Sequence, residues 1–303
     1  MRIGFVGLGQ MGLVMAPHLL RDGWHVTGHD LVTPADLPDA LGFTTSPDDL
    51  AESDVIITML PDGATVTAMV DRLITAGCRA LFIDMSSAHP DDSRALARRL
   101  SETGVDFVDA PVSGGVARAR TAELTIMAGG GDAAFASALP ILSCMGNAVH
   151  LGPAGCGHAM KALNNYVSAA GLIASFQALA TAIDSGIAPA RFLEVINGST
   201  GRNNTTQVKI DKFVLTENFD SGFALALMEK DVSIAAALLA DAGHDGAVTG
   251  AVLAQLRDGL AALGDGADHT EMYRAVTEDL PERLSDNSSR SSFNIKGKVK
   301  NIN

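Results

Sequence analysis

Short β-branched runs alternate with helix-like stretches through the first half of the chain. The runs occupy residues 2–7, 25–30, 54–60, 80–84, 106–109, 124–128 and 148–151. Strands separated by helical segments are typical of βαβ units, which build a mostly parallel sheet with helices on both faces. The first half therefore predicts a doubly wound α/β domain.

The pattern changes after about residue 155 to Ala- and Leu-rich segments with a helical period. These segments cover roughly 159–185, 189–197, 203–215, 223–243, 247–263 and 269–277. They predict an all-helical second domain. We place the domains at 1–158 and 159–284, joined by the long helix 159–185. The Ser-, Asn- and Lys-rich residues 285–303 predict a disordered tail.

The long helix is apolar around most of its circumference between Val167 and Ala182. A helix that is apolar on every side is usually buried on every side. The remaining predicted helices are too few to enclose it, so we expect a homo-oligomer, a dimer or a tetramer.

Composition removes several classes of partner. The chain is 47% apolar but lacks an uninterrupted apolar run of about 18 residues, which predicts a soluble protein with no membrane partner. A glycine loop follows the first strand at once and leaves no room for a signal peptide, so we expect a cytoplasmic protein.

Three scattered cysteines and eight scattered histidines predict no disulfide framework and no metal. A net charge of −13 argues against nucleic acid.

The glycine loop predicts a dinucleotide site. Gly7-Leu8-Gly9-Gln10-Met11-Gly12 follows a strand directly and opens a helix, which is the context that this fingerprint requires. Gly7 permits the tight turn, Gly9 lets the backbone approach a pyrophosphate, and Gly12 allows close packing of helix on strand. The loop identifies the first domain as Rossmann-type.

Asp30 indicates which dinucleotide binds. It ends the second predicted strand, 18 residues beyond Gly12, where a carboxylate accepts hydrogen bonds from ribose hydroxyls. A carboxylate there repels a 2′-phosphate, and residues 31–36 contain no Arg or Lys. We expect NAD as the cofactor.

A candidate reaction centre lies on the long helix. Lys161 and Asn165 are four residues apart, so both side chains leave the same face of that helix. Removing the proton of an alcohol needs a base, and a partly buried lysine can have its pKa lowered toward working pH.

Four motifs in order resemble the β-hydroxyacid dehydrogenase family. They are the glycine loop with Met15-Ala16, the segment Asp109-Ala110-Pro111-Val112-Ser113-Gly114-Gly115, the segment 152–157 leading to Lys161 and Asn165, and Glu229-Lys230-Asp231. The resemblance spans roughly residues 1 to 280. It implies hydride transfer between NAD and a small β-hydroxy acid, or the matching semialdehyde or keto acid.

The resemblance also implies residue roles. Lys161 would be the general acid/base, Asn165 would hold the substrate oxygen, and Ser113, Gly114 and Gly115 would bind the substrate carboxylate. Leu60, Pro61, Ser87 and Lys230 resemble positions that line the cofactor. Arg202 and Asn203 lie in a polar segment from which family members draw selectivity, and we expect one of them to meet the distal end of the substrate.

Two departures and two alternatives accompany this interpretation. The family usually has proline where this chain has Val14; here Pro17 falls further into the first helix and removes a backbone donor. The family also tends to place Thr where Ser87 stands. Imine reductases share this architecture but usually have Asp or Tyr at the lysine position. A non-catalytic NAD-binding sensor would keep Asp30 without needing Lys161 or Asn165.

Overall fold

The computed structural model describes residues 1–21 and 23–277, so the predicted tail lies outside the described residues. The strands among these residues, given in chain order, are β1 Arg2–Val6, β2 His25–His29, β3 Gly42–Thr44, β4 Val55–Thr58, β5 Leu81–Asp84, β6 Phe107–Asp109, β7 Val112–Ser113, β8 Leu124–Ala128 and β9 Gly146–His150. Most of them fall within a residue or two of the predicted runs.

The first six strands form one parallel sheet in the order β3-β2-β1-β4-β5-β6. The predicted Rossmann-type architecture is confirmed. Strand order reverses between β1 and β4, and ligands of open α/β sheets bind at the carboxyl ends of the strands beside such a reversal. The glycine loop follows β1 at this point.

The last three strands form a separate sheet, which the prediction of a single sheet missed. Strand β7 pairs antiparallel with β8, and β8 pairs parallel with β9. Strands β3 and β7 were absent from the predicted set. They have three and two residues, too few to show a hydrophobic alternation.

The helices are α1 Gly12–Met15, α2 Gly63–Thr75, α3 Pro90–Ser101, α4 Gly115–Arg120, α5 Asp132–Leu142, α6 Cys156–Asp184, α7 Pro189–Asn197, α8 Leu225–Asp241, α9 Ala247–Leu263 and α10 Met272–Thr277. Helix α1 stops after four residues and continues as a 3₁₀ helix over Ala16–Leu19. Pro17 has no N–H to continue the α-helical ladder, which explains the short α1.

Two predicted helices have a different geometry. The segment predicted as a helix over 203–215 is a π-helix over Thr205–Val214, and 269–277 divides into a 3₁₀ turn at His269–Glu271 and α10. Periodicity of apolar positions does not separate a π-helix from an α-helix over so few turns. π-Helices are rare, and most are single-turn bulges within α-helices.

Helix α6 is the central element of the second half. It packs against α8, α9 and α10, and Leu172, Phe176 and Leu179 on it are fully buried. It begins at Cys156, three residues before the predicted start. By length and composition alone α6 would cross a membrane, and it is the one such helix among residues 1–21 and 23–277. Here it is the core helix of a folded domain.

Candidate active site

The glycine loop has the shape that a pyrophosphate needs. Gly7 has a φ of +96°, and a Cβ there would lie 2.2 Å from the Met59 carbonyl oxygen. A Cβ on Gly12 would lie 1.9 Å from the Gly7 carbonyl oxygen. Around Gly9, by contrast, no described atom lies within 4 Å of an added Cβ. Gly7 and Gly12 are therefore required by the fold itself, whereas Gly9 leaves the backbone open to a ligand.

The side chains of the other loop residues differ in burial. Leu8 is buried against Gly28 of β2, while Gln10 is exposed and Met11 is half-buried. The loop thus presents backbone and the Gln10 side chain on its outer side. These residues fit a dinucleotide, which would lie across the loop and reach the end of β2.

Asp30 stands at that end and already contacts the loop. Its Oδ2 accepts a hydrogen bond from Leu8 N at 2.8 Å, and its Oδ1 accepts one from Leu31 N at 2.7 Å. A carboxylate has about four acceptor sites, so it retains capacity for hydroxyl donors. Leu31 is 84% exposed, which leaves the carboxylate at an open edge.

Lys161 lies where the two halves of the molecule meet. Its Nζ donates a hydrogen bond to the Val112 carbonyl oxygen at 2.8 Å and lies 5.9 Å from the centre of the Phe223 ring. Burial lowers the pKa of Lys161; the carboxylate of Asp231 opposes this shift and the ammonium of Lys230 adds to it. A lysine with a lowered pKa can exchange a proton near neutral pH.

Asp231 organises the side chains around Lys161. It is 2% exposed and accepts hydrogen bonds from Ser87 Oγ at 2.6 Å and from Asn165 Nδ2 at 2.6 Å. It therefore ties the loop after β5 to α6. Sequence reasoning quoted Asp231 within a motif but gave it no role. The available signal was a carboxylate between Met228 and Val232, in the buried stripe of α8.

Asn165 keeps one donor free after these contacts. Its Oδ1 accepts from Asn164 Nδ2 at 3.0 Å, and Asp231 receives one of its two amide hydrogens. An amide nitrogen carries two hydrogens, so the second remains for a substrate oxygen. At 7% exposed, Asn165 has its orientation fixed by its protein partners.

Lys230 joins the loop after β4 to the loop after β5. Its Nζ donates to the carbonyl oxygens of Pro61 at 2.8 Å and Ser87 at 2.9 Å. Leu60, Pro61, Ser87 and Lys230, predicted from separate motifs, are thus brought together at the carboxyl ends of β4 and β5. An ammonium has three donors, so one stays available to a ligand.

The segment from Asp109 to Gly115, which carries Ser113, is fixed to the start of α6 through Asp109. Asp109, which is fully buried, accepts hydrogen bonds from Gly155 N at 2.7 Å and His158 N at 2.9 Å. Burial raises the pKa of Asp109, with His158 and the two amides opposing this. The exposed Gly114 and Gly115 have φ of +131° and +62°, which only glycine adopts readily.

Beside Asp109, the imidazole of His158 connects three further elements. Its Nε2 donates to the Ser86 carbonyl oxygen at 3.1 Å, and its Nδ1 shares a hydrogen bond with Ser93 Oγ at 2.7 Å. These two hydrogen bonds hold α3 and the loop after β5 against α6. Among residues 1–21 and 23–277, no three His, Cys, Asp or Glu side chains are grouped to hold a metal ion.

Among the described residues, Arg202 and Asn203 make no hydrogen bond to Lys161, Asn165 or Asp231, and their predicted contact with the substrate stays a prediction. Asn203 donates to Ser175 Oγ at 2.9 Å and accepts from Thr205 N at 2.8 Å, so it caps the π-helix and ties it to α6. Ser175 lies 14 residues beyond Lys161, or about 21 Å along the helix. Arg202 is exposed beside it.

Comparisons with known proteins agree with this architecture. Residues 2–153 match the family model described as the NAD binding domain of 6-phosphogluconate dehydrogenase. Residues 155–276 match the model described as NAD-binding of NADP-dependent 3-hydroxyisobutyrate dehydrogenase.

Two characterised relatives cover most of the chain. It is 33% identical over 291 residues to 2-(hydroxymethyl)glutarate dehydrogenase of Eubacterium barkeri, covering 92% of this chain and 95% of that protein. It is 37% identical over 246 residues to the mitochondrial 3-hydroxyisobutyrate dehydrogenase of Drosophila melanogaster, covering 77% and 76%.

Solved structures give the same result. The 3-hydroxyisobutyrate dehydrogenase of Mycobacterium tuberculosis, in a structure with L-serine, has a TM-score of 0.81 and 31% identity, covering 91% of this chain and 99% of that one. An imine reductase of Streptomyces aurantiacus has a TM-score of 0.59 at 22% identity, covering 92% and 100%, and shares the fold alone. The chain belongs to the β-hydroxyacid dehydrogenase family of nicotinamide-dependent oxidoreductases.

Proposed function

We propose that the protein oxidises a small β-hydroxy acid with NAD, or reduces the matching semialdehyde or keto acid, with Lys161 as general acid/base. The observation that carries the proposal is the convergence of Lys161, Asn165 and Asp231 beside the Ser113–Gly115 loop. A non-catalytic sensor would need none of these contacts. The substrates named for the two relatives both carry a hydroxyl on the carbon β to a carboxylate.

The reaction needs a carboxylate holder, a proton acceptor and an oriented alcohol. Ser113 offers a hydroxyl, and Gly114 and Gly115 offer backbone N–H groups uncovered by side chains; such donors form charge-assisted hydrogen bonds to a carboxylate. The bound nicotinamide supplies or accepts the hydride. Lys161, anchored at Val112 next to this loop, takes the hydroxyl proton during oxidation and returns it during reduction.

Asn165 and Asp231 would orient the reacting groups. Asn165 directs its free amide hydrogen toward the alcohol oxygen because Asp231 and Asn164 fix the rest of the carboxamide. Asp231 also keeps a negative charge near Lys161, which limits how far burial lowers its pKa. Both residues therefore act on the same proton transfer, one by geometry and one by charge.

The preference for NAD over NADP belongs to the same proposal. Asp30 is the carboxylate nearest the expected ribose position, and residues 31–36 offer no cation to a 2′-phosphate. We expect the remaining acceptor sites of Asp30 to bind the ribose hydroxyls.

A homo-oligomer is supported by apolar surface that one chain leaves uncovered. No residue of α7 is fully buried, and Phe192 and Leu193 pack only partly against the helical core. Val167 on α6 is 67% exposed and Val195 on α7 is 65% exposed. Light scattering on the purified protein tests this, and a monomer at micromolar concentration contradicts it.

The three free thiols support a cytoplasmic location, since disulfides are rare there.

Following NADH absorbance tests the activity directly. The purified protein is incubated with NAD and each of 3-hydroxyisobutyrate, 2-(hydroxymethyl)glutarate, glycerate, threonate, serine and the hydroxybutyrates. We expect NADH formation with at least one of them and none with Lys161→Ala. Silence across the panel, with NAD binding intact, would favour the sensor.

A further inference from the structure

Lys209 is a buried ammonium that the reaction described above does not use. It lies on the π-helix and is only 9% exposed. Its Nζ donates one long hydrogen bond, 3.4 Å, to Ser168 Oγ. Within residues 1–21 and 23–277, no carboxylate oxygen lies within the 4 Å of an ion pair with Lys209.

The nearest acid does not neutralise this charge by contact. Asp268 attracts Lys209 only at a distance. Its carboxylate instead accepts hydrogen bonds from Ser221 Oγ, Phe223 N and Thr270 Oγ1. Burial would raise the pKa of Asp268, but these donors and His269 hold that pKa well below its usual range. Asp268 is therefore an anion whose hydrogen-bond capacity is already spent.

An unpaired buried ammonium is costly to a fold. Burial lowers the pKa of Lys209 to about 8, with Asp268 opposing the shift. The group therefore remains mostly protonated at pH 7. In the part of the chain that the structure describes, at least two of its three N–H donors have no hydrogen-bond partner, so an anion could accept from them.

Lys209 lies on the side of α6 that carries the reaction centre. Its partner Ser168 is three residues beyond Asn165 and seven beyond Lys161, so the three side chains share one face of α6. Ser168 is about 4.5 Å of axial rise from Asn165. Lys209 thus stands one helical turn past the position expected for the alcohol, on the side away from Ser113.

Phe223 and His269 lie near the two lysines, one beside Lys161 and the other within the electrostatic influence of Lys209. Phe223 has its ring 5.9 Å from Lys161 Nζ and packs edge-on against His269, with ring centres 5.4 Å apart. Burial lowers the pKa of His269, the hydrogen bond with Asp268 opposes this shift, and the charge of Lys209 adds to it. The surroundings of the two ammonium groups are therefore linked through Phe223 and His269.

We propose that Lys209, with Ser168, binds a second anionic group at the distal end of the substrate, so that the preferred substrate is a hydroxy acid with two negative ends. The inference rests on the proposed function, because it assumes the near carboxylate at Ser113–Gly115 and the alcohol at Lys161. A short carbon chain along α6 spans from the alcohol to Lys209. This assigns selectivity to the π-helix, in place of Arg202 and Asn203.

Three compounds that share one reacting end test the proposal. 3-Hydroxyisobutyrate has a methyl group where 2-(hydroxymethyl)glutarate has a two-carbon arm ending in carboxylate, and the distal monoamide of the latter keeps the arm without its charge. For the wild-type protein, kcat/KM should favour the dicarboxylate over the monoamide by about 10- to 100-fold, the scale of one charge-assisted hydrogen bond. Lys209→Met should remove this preference and leave 3-hydroxyisobutyrate turnover within about twofold.

The controls separate a binding role from a structural one. Lys212→Met changes an exposed lysine of the same π-helix and should leave all three values unchanged. Lys209→Gln and Ser168→Ala provide second variants if Lys209→Met does not fold. Preference for the dicarboxylate that survives in Lys209→Met or Lys209→Gln overturns the proposal, as does an equal loss on all three compounds. If the wild-type protein turns over 3-hydroxyisobutyrate but does not prefer the dicarboxylate to its monoamide, this inference alone is overturned. If it turns over none of the three compounds, the proposed function is overturned.

Discussion

The glycine loop Gly7–Gly12 and the proposed catalytic cluster of Lys161, Asn165, Lys230 and Asp231 are built in different ways. The loop consists of six consecutive residues whose backbone makes the site, and its shape depends on Gly7 and Gly12 at fixed spacing. The cluster consists of side chains brought from far apart: Asn165 and Asp231 are separated by 66 residues, and Lys230 and Pro61 by 169. One site is local in sequence and the other is assembled by tertiary structure.

This difference determines which substitutions impair the glycine loop and which impair the cluster. A backbone site tolerates side-chain exchange except where a Cβ has no room, whereas a side-chain site loses function with a single functional group. Asp231 shows the second case, because its two carboxylate oxygens hold two different segments. Substitutions in the cluster should therefore change the chemistry while leaving cofactor binding intact.

The largest expected effect is that of Lys161→Ala. Removing the general base should lower kcat by about 10² to 10⁴, the usual scale of acid–base catalysis. Binding of NADH, measured by fluorescence titration, should stay within about twofold, because the glycine loop and Asp30 are unaltered. Lys212→Ala, at an exposed lysine, is the matched control. Near-normal turnover in Lys161→Ala contradicts the assigned role.

Asp231→Asn should have the next largest effect. An amide accepts at only one of its two ends, so Ser87 or Asn165 loses its partner, and kcat should fall by about 10- to 100-fold, the scale of one hydrogen bond to a charged group. Asp231 raises the pKa of Lys161. Oxidation needs neutral Lys161, so its rate rises with pH through that pKa.

The pH profile separates catalysis from folding in this variant. Removing the carboxylate should lower the pKa of Lys161 further and move the rising limb of the oxidation rate to lower pH. Glu229→Gln alters a neighbouring carboxylate that is bound to Arg257 and should leave the limb in place. A limb that moves to higher pH, or equally in both variants, contradicts the electrostatic role of Asp231.

Much of the architecture was predictable, because local patterns determine it. The βαβ rhythm, the glycine loop and the positions of Lys161 and Lys230 all follow from short segments. The role of Asp231 did not, since its partners are 66 and 144 residues away. The π-helix and the two-residue β7 were also missed, because a change of helical pitch and a very short strand leave no periodic signal.

Asp30→Ala tests the proposed cofactor site, and its expected effect on the cofactor preference is smaller than the effects on kcat above. The preference for NAD over NADP, as a ratio of kcat/KM values, should fall by about 10-fold, since about one charge-assisted hydrogen bond and one repulsion are lost. Maximal kcat with NAD should change little. Part of the loss comes from the loop itself, because Asp30 accepts from Leu8 N. Asp30→Asn keeps one acceptor and should give an intermediate ratio; an unchanged ratio in both variants removes the assignment.

The smallest expected effects on activity are at Arg202 and Asn203, which look functional in sequence and structural in the fold. Asn203→Ala removes hydrogen bonds to Ser175 Oγ and Thr205 N, so it should lower the free energy of unfolding by about 1–3 kcal/mol, measured by urea denaturation. Arg202→Ala, at an exposed side chain, should change stability by less than about 0.5 kcal/mol. Neither variant should alter KM for the hydroxy acid by more than about twofold at temperatures where it is folded. A KM increase in Arg202→Ala without loss of stability would support the sequence-based assignment. It would place a substrate contact on the exposed surface near Ser175, which lies about 21 Å along α6 from Lys161.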